Sequence, residues 1–311
     1  MTDKSSATII SRTMVSQSSA AGLWWGLLGV AAFSLTVPLT RVAVEGLSPL
    51  FIGAGRAVLA AALAAAALAL TRQRLPRGTQ WLRLAVVAGG VVASFPLLTS
   101  YALTTVPAGH GAVVIALLPA ATAVVAVLRG RERLPALFWA MTGAGALVAI
   151  AFASVQSGSW GRLHGADVLL FGAVAGAAVG YAEGGLMARE LGAWQTISWA
   201  LVLASPVMVA LTVVSVLQHA PTGTPVQWTA FAYLGVVSMF LGFFAWYRGL
   251  GLGPIAQVSQ IQLVQPVLSI CWAALLLGED LTWPVLLGGL AVIVCAGLAV
   301  RVRLSPASSL R

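Results

Sequence analysis

Charge is what this sequence has least of. Only 8% of its 311 residues are Asp, Glu, Lys or Arg, against about 25% in soluble domains. There are two cysteines, Cys271 and Cys295, both inside apolar runs, which supports neither a disulfide framework nor a zinc site. There are three histidines, and no HExxH or GxSxG motif. A membrane-embedded enzyme would need a nucleophile–base set or metal ligands within its apolar segments, so the chain is not read as an enzyme and no cofactor is expected. The GLGLG at 249–253 follows no strand, as a phosphate-binding loop would, and reads as a tight turn between helices. The opening MTDKSSATIISRTMVSQSSA lacks the apolar core of a signal peptide; residues 1–21 read as a disordered cytoplasmic tail.

What is present is apolar length. Hydrophobic residues make up 59% of the chain, and the mean hydropathy is +0.96. A span needs roughly 20 apolar residues to cross a hydrocarbon core of about 30 Å. Ten such runs occur, at 22–44, 48–70, 81–103, 107–128, 135–154, 166–187, 193–216, 226–247, 253–276 and 281–301. Runs such as AVLAAALAAAALAL do not alternate as barrel strands do, so the expected class is all-α, polytopic and membrane-embedded. With the N-terminus inside, the inner segments collect Lys4, Arg12, Arg72, Arg74, Arg77, Arg83, Arg129, Arg131, Arg133, Arg189, Arg248, Arg301, Arg303 and Arg311. The outer loops keep only Arg162, with Glu45, Asp167, Glu279 and Asp280. This asymmetry predicts both termini in the cytoplasm. It also accounts for the net charge of +9 without a nucleic-acid partner.

Two turns repeat with opposite charge. VLRGRERLP at 127–135 and LLLGEDLTWP at 275–284 both leave an apolar run at Gly and reach Glu-x-Leu and Pro. A shift of 147 residues places Pro107 on Pro254, Pro119 on Pro266, Glu132 on Glu279 and Leu134 on Leu281. Five runs separate the copies, an odd number, so the second copy is expected upside down. The first turn then faces the cytoplasm with arginine and the second faces outward with acid. Inverted repeats of this kind recur in secondary transporters.

Three stretches carry a family resemblance: SPLFIGAGRAVLAAAL at 48–63, YALTTVPAGHGAVVIALLPAATAVVAVLRGRERL at 101–134, and WYRGLGLGPIAQVSQIQLVQPVLSICWAALLLGEDLTW at 246–283. Over about residues 22–302 the chain resembles the drug/metabolite transporter superfamily, EamA-domain type. The resemblance implies ten helices in two inverted five-helix repeats, here 22–154 and 166–302, with a short cytoplasmic tail at 303–311. It implies a bacterial cytoplasmic (inner) membrane location and a central cavity for a small organic solute such as an amino acid, a related metabolite or a drug. Relatives mostly export. Arg129-Gly130-Arg131 before Glu132 departs from the usual pattern of an apolar residue and Gly directly before Glu.

Helix 9 is the richest in polar groups. Gln257, Ser259, Gln260, Gln262 and Gln265 fall within half a span, where amides need partners. Pro266 should free the carbonyl of Gln262, and Pro119 that of Ile115, kinking both helices. The glutamines are expected to orient the solute, with Tyr101, Tyr181, Trp199 and Trp246 bounding it. Arg56 is assigned to a carboxylate, with snorkelling as the alternative, and Glu183 to an amine. His110 could titrate or hold a structural hydrogen bond. Seven other tryptophans, Trp272 among them, fit an interfacial belt. The reading is a secondary transporter, an exporter working by alternating access among membrane lipid. Proton coupling and facilitated diffusion are both allowed, as are monomer and homodimer. A sealed interior would instead indicate a non-transporting receptor or assembly subunit.

Overall fold

A helix satisfies its backbone N–H and C=O groups within its own segment, as hydrocarbon demands. The computed structural model describes residues 21–130, 136–156, 165–252, 258 and 261–304, and among them all regular structure is helical. In chain order the helices are α1 (Ala21–Ala43), α2 (Pro49–Leu70), α3 (Gln80–Ala102), α4 (Ala108–Ala126, running on to Gly130), α5 (Ala136–Gln156), α6 (Gly165–Leu191), α7 (Ala193–Gln218), α8 (Pro225–Leu252), α9 (Val264–Leu277) and α10 (Trp283–Leu304). Seven of them, α1 to α4 and α6 to α8, are long and apolar enough to cross a membrane. Ala21 opens α1 and α10 takes in Arg303 and Leu304. The rest of both expected tails lies outside the described residues.

Local chemistry sets the ends. Ser48 accepts from the Phe51 N–H at 3.2 Å, with Pro49 in the first turn of α2. Thr224 and Gln227 form a capping box at the start of α8; both are strong helix-start signals. Gly278 ends α9 at φ +65°, a left-handed conformation that glycine adopts without steric cost.

Two helices depart from regular winding in mid-course. Ala88–Ser94 of α3 and Leu234–Leu241 of α8 are π-helical, the wider winding that often marks functional positions. On α3 the π segment lies hard against α6. A Cβ on Gly90 would stand 2.3 Å from the Gly176 carbonyl oxygen, so only glycine permits this approach. Gly176 and Gly180 on α6 face it in a G-x-x-x-G spacing, the close-packing device of membrane helices.

The long helices pack in pairs: α2 on α7, α5 on α10, and α3 on α6. Ser48 at the start of α2 meets Ser215 near the end of α7, Oγ to Oγ at 2.8 Å. Gln195 near the start of α7 donates to Gln73 just beyond α2, at 3.3 Å. α2 and α7 therefore run antiparallel side by side. The end holding Arg72, Gln73, Arg83, Glu190 and Gln195 is rich in arginine; the end holding Ser48, Ala108, Asp167 and Glu279 is not.

Candidate functional site: a polar cavity between the helices

A narrow cavity of about 20 Å³ lies in the bundle interior. Phe33 and Thr36 come from α1, Arg56 from α2, and Val91 and Phe95 from α3. Ala177 and Tyr181 come from α6, Ser238, Met239 and Phe243 from α8, and Gln265 from α9. Both π segments reach it, through Val91 and Ser238. One wall is aromatic: Phe33 lies 4.9 Å from Phe243 and 6.5 Å from Tyr181, centroid to centroid. The Thr36 and Ser238 hydroxyls are hydrogen-bonded at 2.8 Å.

The polar groups here are short of partners. Arg56 is 1% exposed. Among the described residues its Nε and Nη1 have no hydrogen-bond partner, and neither do Gln265 Oε1, either amide atom of Gln262, or the Trp246 indole nitrogen. Buried polar groups are bonded in the large majority of cases, and an unmade bond costs about 1–3 kcal/mol. Gln262 is buried beside the Tyr181 hydroxyl, and Trp246 packs on Tyr181 at 5.6 Å. Such a cluster can orient a solute that brings its own donors and acceptors.

The structure gathers Arg56, Tyr181, Trp246, Gln262 and Gln265 in this region. Gln257 and Gln260 lie outside the described residues. Tyr101 is 43% exposed at the end of α3, away from the cavity lining. Trp199 stacks edge-on against Trp81 at 5.9 Å and lines a separate pocket at the arginine-rich end. Tyr247 is buried and donates to the Gly180 carbonyl at 3.1 Å, a packing role. Trp272 donates to the Ser34 hydroxyl at 3.1 Å, tying α9 to α1 where a belt position was expected.

Glu183 does not face the cavity. One carboxylate oxygen accepts from Arg83 and the other from Arg129, while Arg83 also reaches Glu190. The amine expected from a solute is supplied by two guanidinium groups of the protein. His110 is likewise engaged, with Nε2 2.7 Å from Asp167 Oδ1, both side chains buried. The pair ties the start of α4 to the start of α6.

The backbone expectation at Pro266 also needs correction. The chain turns at Gln262–Leu263 before α9, and the Gln265 N–H bonds the Gln262 carbonyl at 3.0 Å. The acceptor that proline would strand is taken by the residue just before it, in a tighter i to i+3 turn. α4 is interrupted similarly at Ala116–Leu117, ahead of Pro119. Sequence reading missed Phe33, Phe95, Met239 and Phe243, which look like any apolar residues of a span.

Glu279 closes the opposite end. Its carboxylate accepts from the N–H groups of Ala108 and Gly109 at 2.7 and 2.8 Å, a negative charge on the positive end of α4. Glu279→Ala leaves two orphan donors and should lower stability by about 1–2 kcal/mol, read as a fall in Tm in detergent.

A helical bundle of apolar spans around a polar, under-bonded interior is the build of a membrane transporter. Residues 20–155 and 164–301 each match the EamA-like transporter family, and the chain belongs to that family. It is 43% identical over 284 residues to the "Uncharacterized transporter YdeK" of Bacillus subtilis (strain 168), covering 89% of this chain and 96% of the other. It is 27% identical over 250 residues to the "Probable terminal-alkyne amino-acid exporter" of Streptantibioticus cattleyicolor, covering 79% and 82%. A crystal structure shares the fold with a TM-score of 0.62 over 92% of this chain and 99% of that one, at 18% identity.

Proposed function

We propose that the chain is a secondary transporter that exports a small organic metabolite, of the amino-acid class, from the cytoplasm by alternating access. It crosses the membrane ten times, in two inverted five-helix halves with both termini inside. The observation that carries this reading is the cavity itself. It is buried, aromatic on one wall, and lined by α1, α2 and α3 of one half and α6, α8 and α9 of the other.

Three features support the inverted halves. α2 and α7 occupy corresponding places and run in opposite directions. Shifted by the 147 residues that relate Pro107 to Pro254, the π segment Ala88–Ser94 falls inside Leu234–Leu241. The turn at Ala116–Leu117 falls within one residue of that at Gln262–Leu263. Corresponding irregular helices near the midplane are where carriers of this design bind solute.

Each end has a closure. At the arginine-rich end, Glu183 of α6 binds Arg83 of α3 and Arg129 of α4. At the other, Glu279 binds the start of α4 and Asp167 binds His110. Both sets join one half to the other, and in this cycle they are the contacts that close the cavity on alternate sides. Export opens the inner set, admits solute to Gln262, Gln265 and Arg56, then closes it and releases the outer set. The test is an efflux screen with cells overexpressing the chain. Resistance to toxic amino-acid analogues, lost in a Gln262→Leu strain, supports the reading. Intracellular accumulation unchanged across amino acids, related metabolites and drugs removes it.

A further inference from the structure

We propose that the cavity is a carboxylate receptor, selective for solutes with an ionised carboxylate whether or not they also carry an ammonium group. The inference rests on the carrier reading of the same cavity and names the solute's chemical class. It stands on the juxtaposition of a guanidinium that is unpaired among the described residues with a lining that holds no acid among them.

Arg56 is buried, and among the described residues neither Nε nor Nη1 has a partner. A buried charge without a counter-ion is heavily disfavoured, and charged groups within membrane spans mark solute and ion paths. The counter-ion does not come from the residues lining the cavity. The sequence holds only eight acidic residues, and each of the six described ones has another place. Glu183 and Glu190 are held by arginines, Asp167 by His110, and Glu279 by the start of α4. Glu45 and Asp280 are exposed in turns. Asp3 and Glu132 lie outside the described residues.

The other groups around the cavity are neutral: the Thr36 and Ser238 hydroxyls, the Gln265 amide, and the rings of Phe33, Tyr181 and Phe243. A carboxylate would complete the guanidinium with charge-assisted bonds and cancel the one formal charge of the site. An ammonium group on the solute would find no acid among the described lining residues, only neutral acceptors and aromatic faces, a weaker set of contacts than an ion pair. Arg56 stands about 10 Å along α2 from Pro49, at 1.5 Å per residue, which puts the carboxylate inside the membrane. The charge therefore selects the solute by sign, and the aromatic wall accepts its apolar body.

The experiment uses the full-length protein in detergent and three probes of matched carbon skeleton: 4-methylpentanoate, L-leucine and L-leucinamide. Binding is read as a rise in Tm. The acids should raise it, with 4-methylpentanoate favoured over leucinamide by at least about ten-fold in affinity. In Arg56→Met the response to the acids should vanish, and the unliganded variant should melt higher than wild type, because an unpaired buried charge has been removed. Leucinamide binding as well as the acids, an Arg56→Met protein that still responds to 4-methylpentanoate, or one that melts lower than wild type would each overturn the proposal. Efflux that favours amines or amides over acids would remove the anion receptor and leave the carrier reading standing. Carboxylate binding at Arg56 with no efflux of any solute would remove the carrier reading and leave the receptor.

Discussion

Replacing Gln262 with Leu is expected to abolish transport while the protein still inserts and folds. Gln262 is 1% exposed, and neither atom of its amide has a hydrogen-bond partner among the described residues. The Tyr181 hydroxyl is within reach of the amide, so the burden on the folded state is about 1–3 kcal/mol for the one group left over, and leucine of similar size removes it. Tm should therefore hold or rise. If the amide bonds the solute, its loss leaves polar atoms of the solute unmatched, a penalty worth on the order of a hundred-fold or more in transport efficiency. An amide that served as glue between helices would give the reverse: lower stability, and unchanged transport in the protein that survives. Measuring Tm and efflux on the same variant separates the two.

Glu183→Gln should release the arginine-rich end. Glu183 is 3% exposed and lies between Arg83 of α3 and Arg129 of α4. Neutralising it removes both ion pairs and leaves Arg83 with Glu190 alone. Arg83 and Arg129 keep partial access to water, which limits the loss to about 1.5–3 kcal/mol. A difference of that size shifts a two-state equilibrium by roughly ten-fold or more. A cysteine introduced at Gln195, beside the pocket at that end, should become more reactive toward a thiol reagent in the Glu183→Gln background. The charge swap Arg83→Glu with Glu183→Arg should return reactivity part of the way. Equal reactivity with and without Glu183 would show that the ion pairs do not hold this end shut.

Length and hydropathy made most helices legible. Runs read at 48–70 and 193–216 are observed as Pro49–Leu70 and Ala193–Gln218, because a span's boundaries follow its apolar length. The turn at Gly278 was legible too, since Gly-Glu-x-Leu ends a helix by local chemistry. Interactions across the sequence were not. Glu183 sits a hundred residues from Arg83, and its surroundings read only as an acid in an apolar run. Glu279 was visible as an outward acid, but its role on the start of α4 depends on a meeting 171 residues apart. The π segments leave no periodic mark, because their residues are as apolar as the turns beside them. The glutamines of helix 9 stood out since amides are rare in hydrocarbon. The fate of the Gln262 carbonyl did not, because a proline's lost bond can be replaced by a tighter turn that sequence does not announce.

Transport by this route needs two halves that enter the membrane with opposite orientation and enclose the cavity between them. Fusing a reporter enzyme in frame after Arg131, and in a separate strain after Asp280, tests this most directly. The first fusion should give a cytoplasmic signal and the second an external signal. Cytoplasmic signals from both would contradict the opposed orientation.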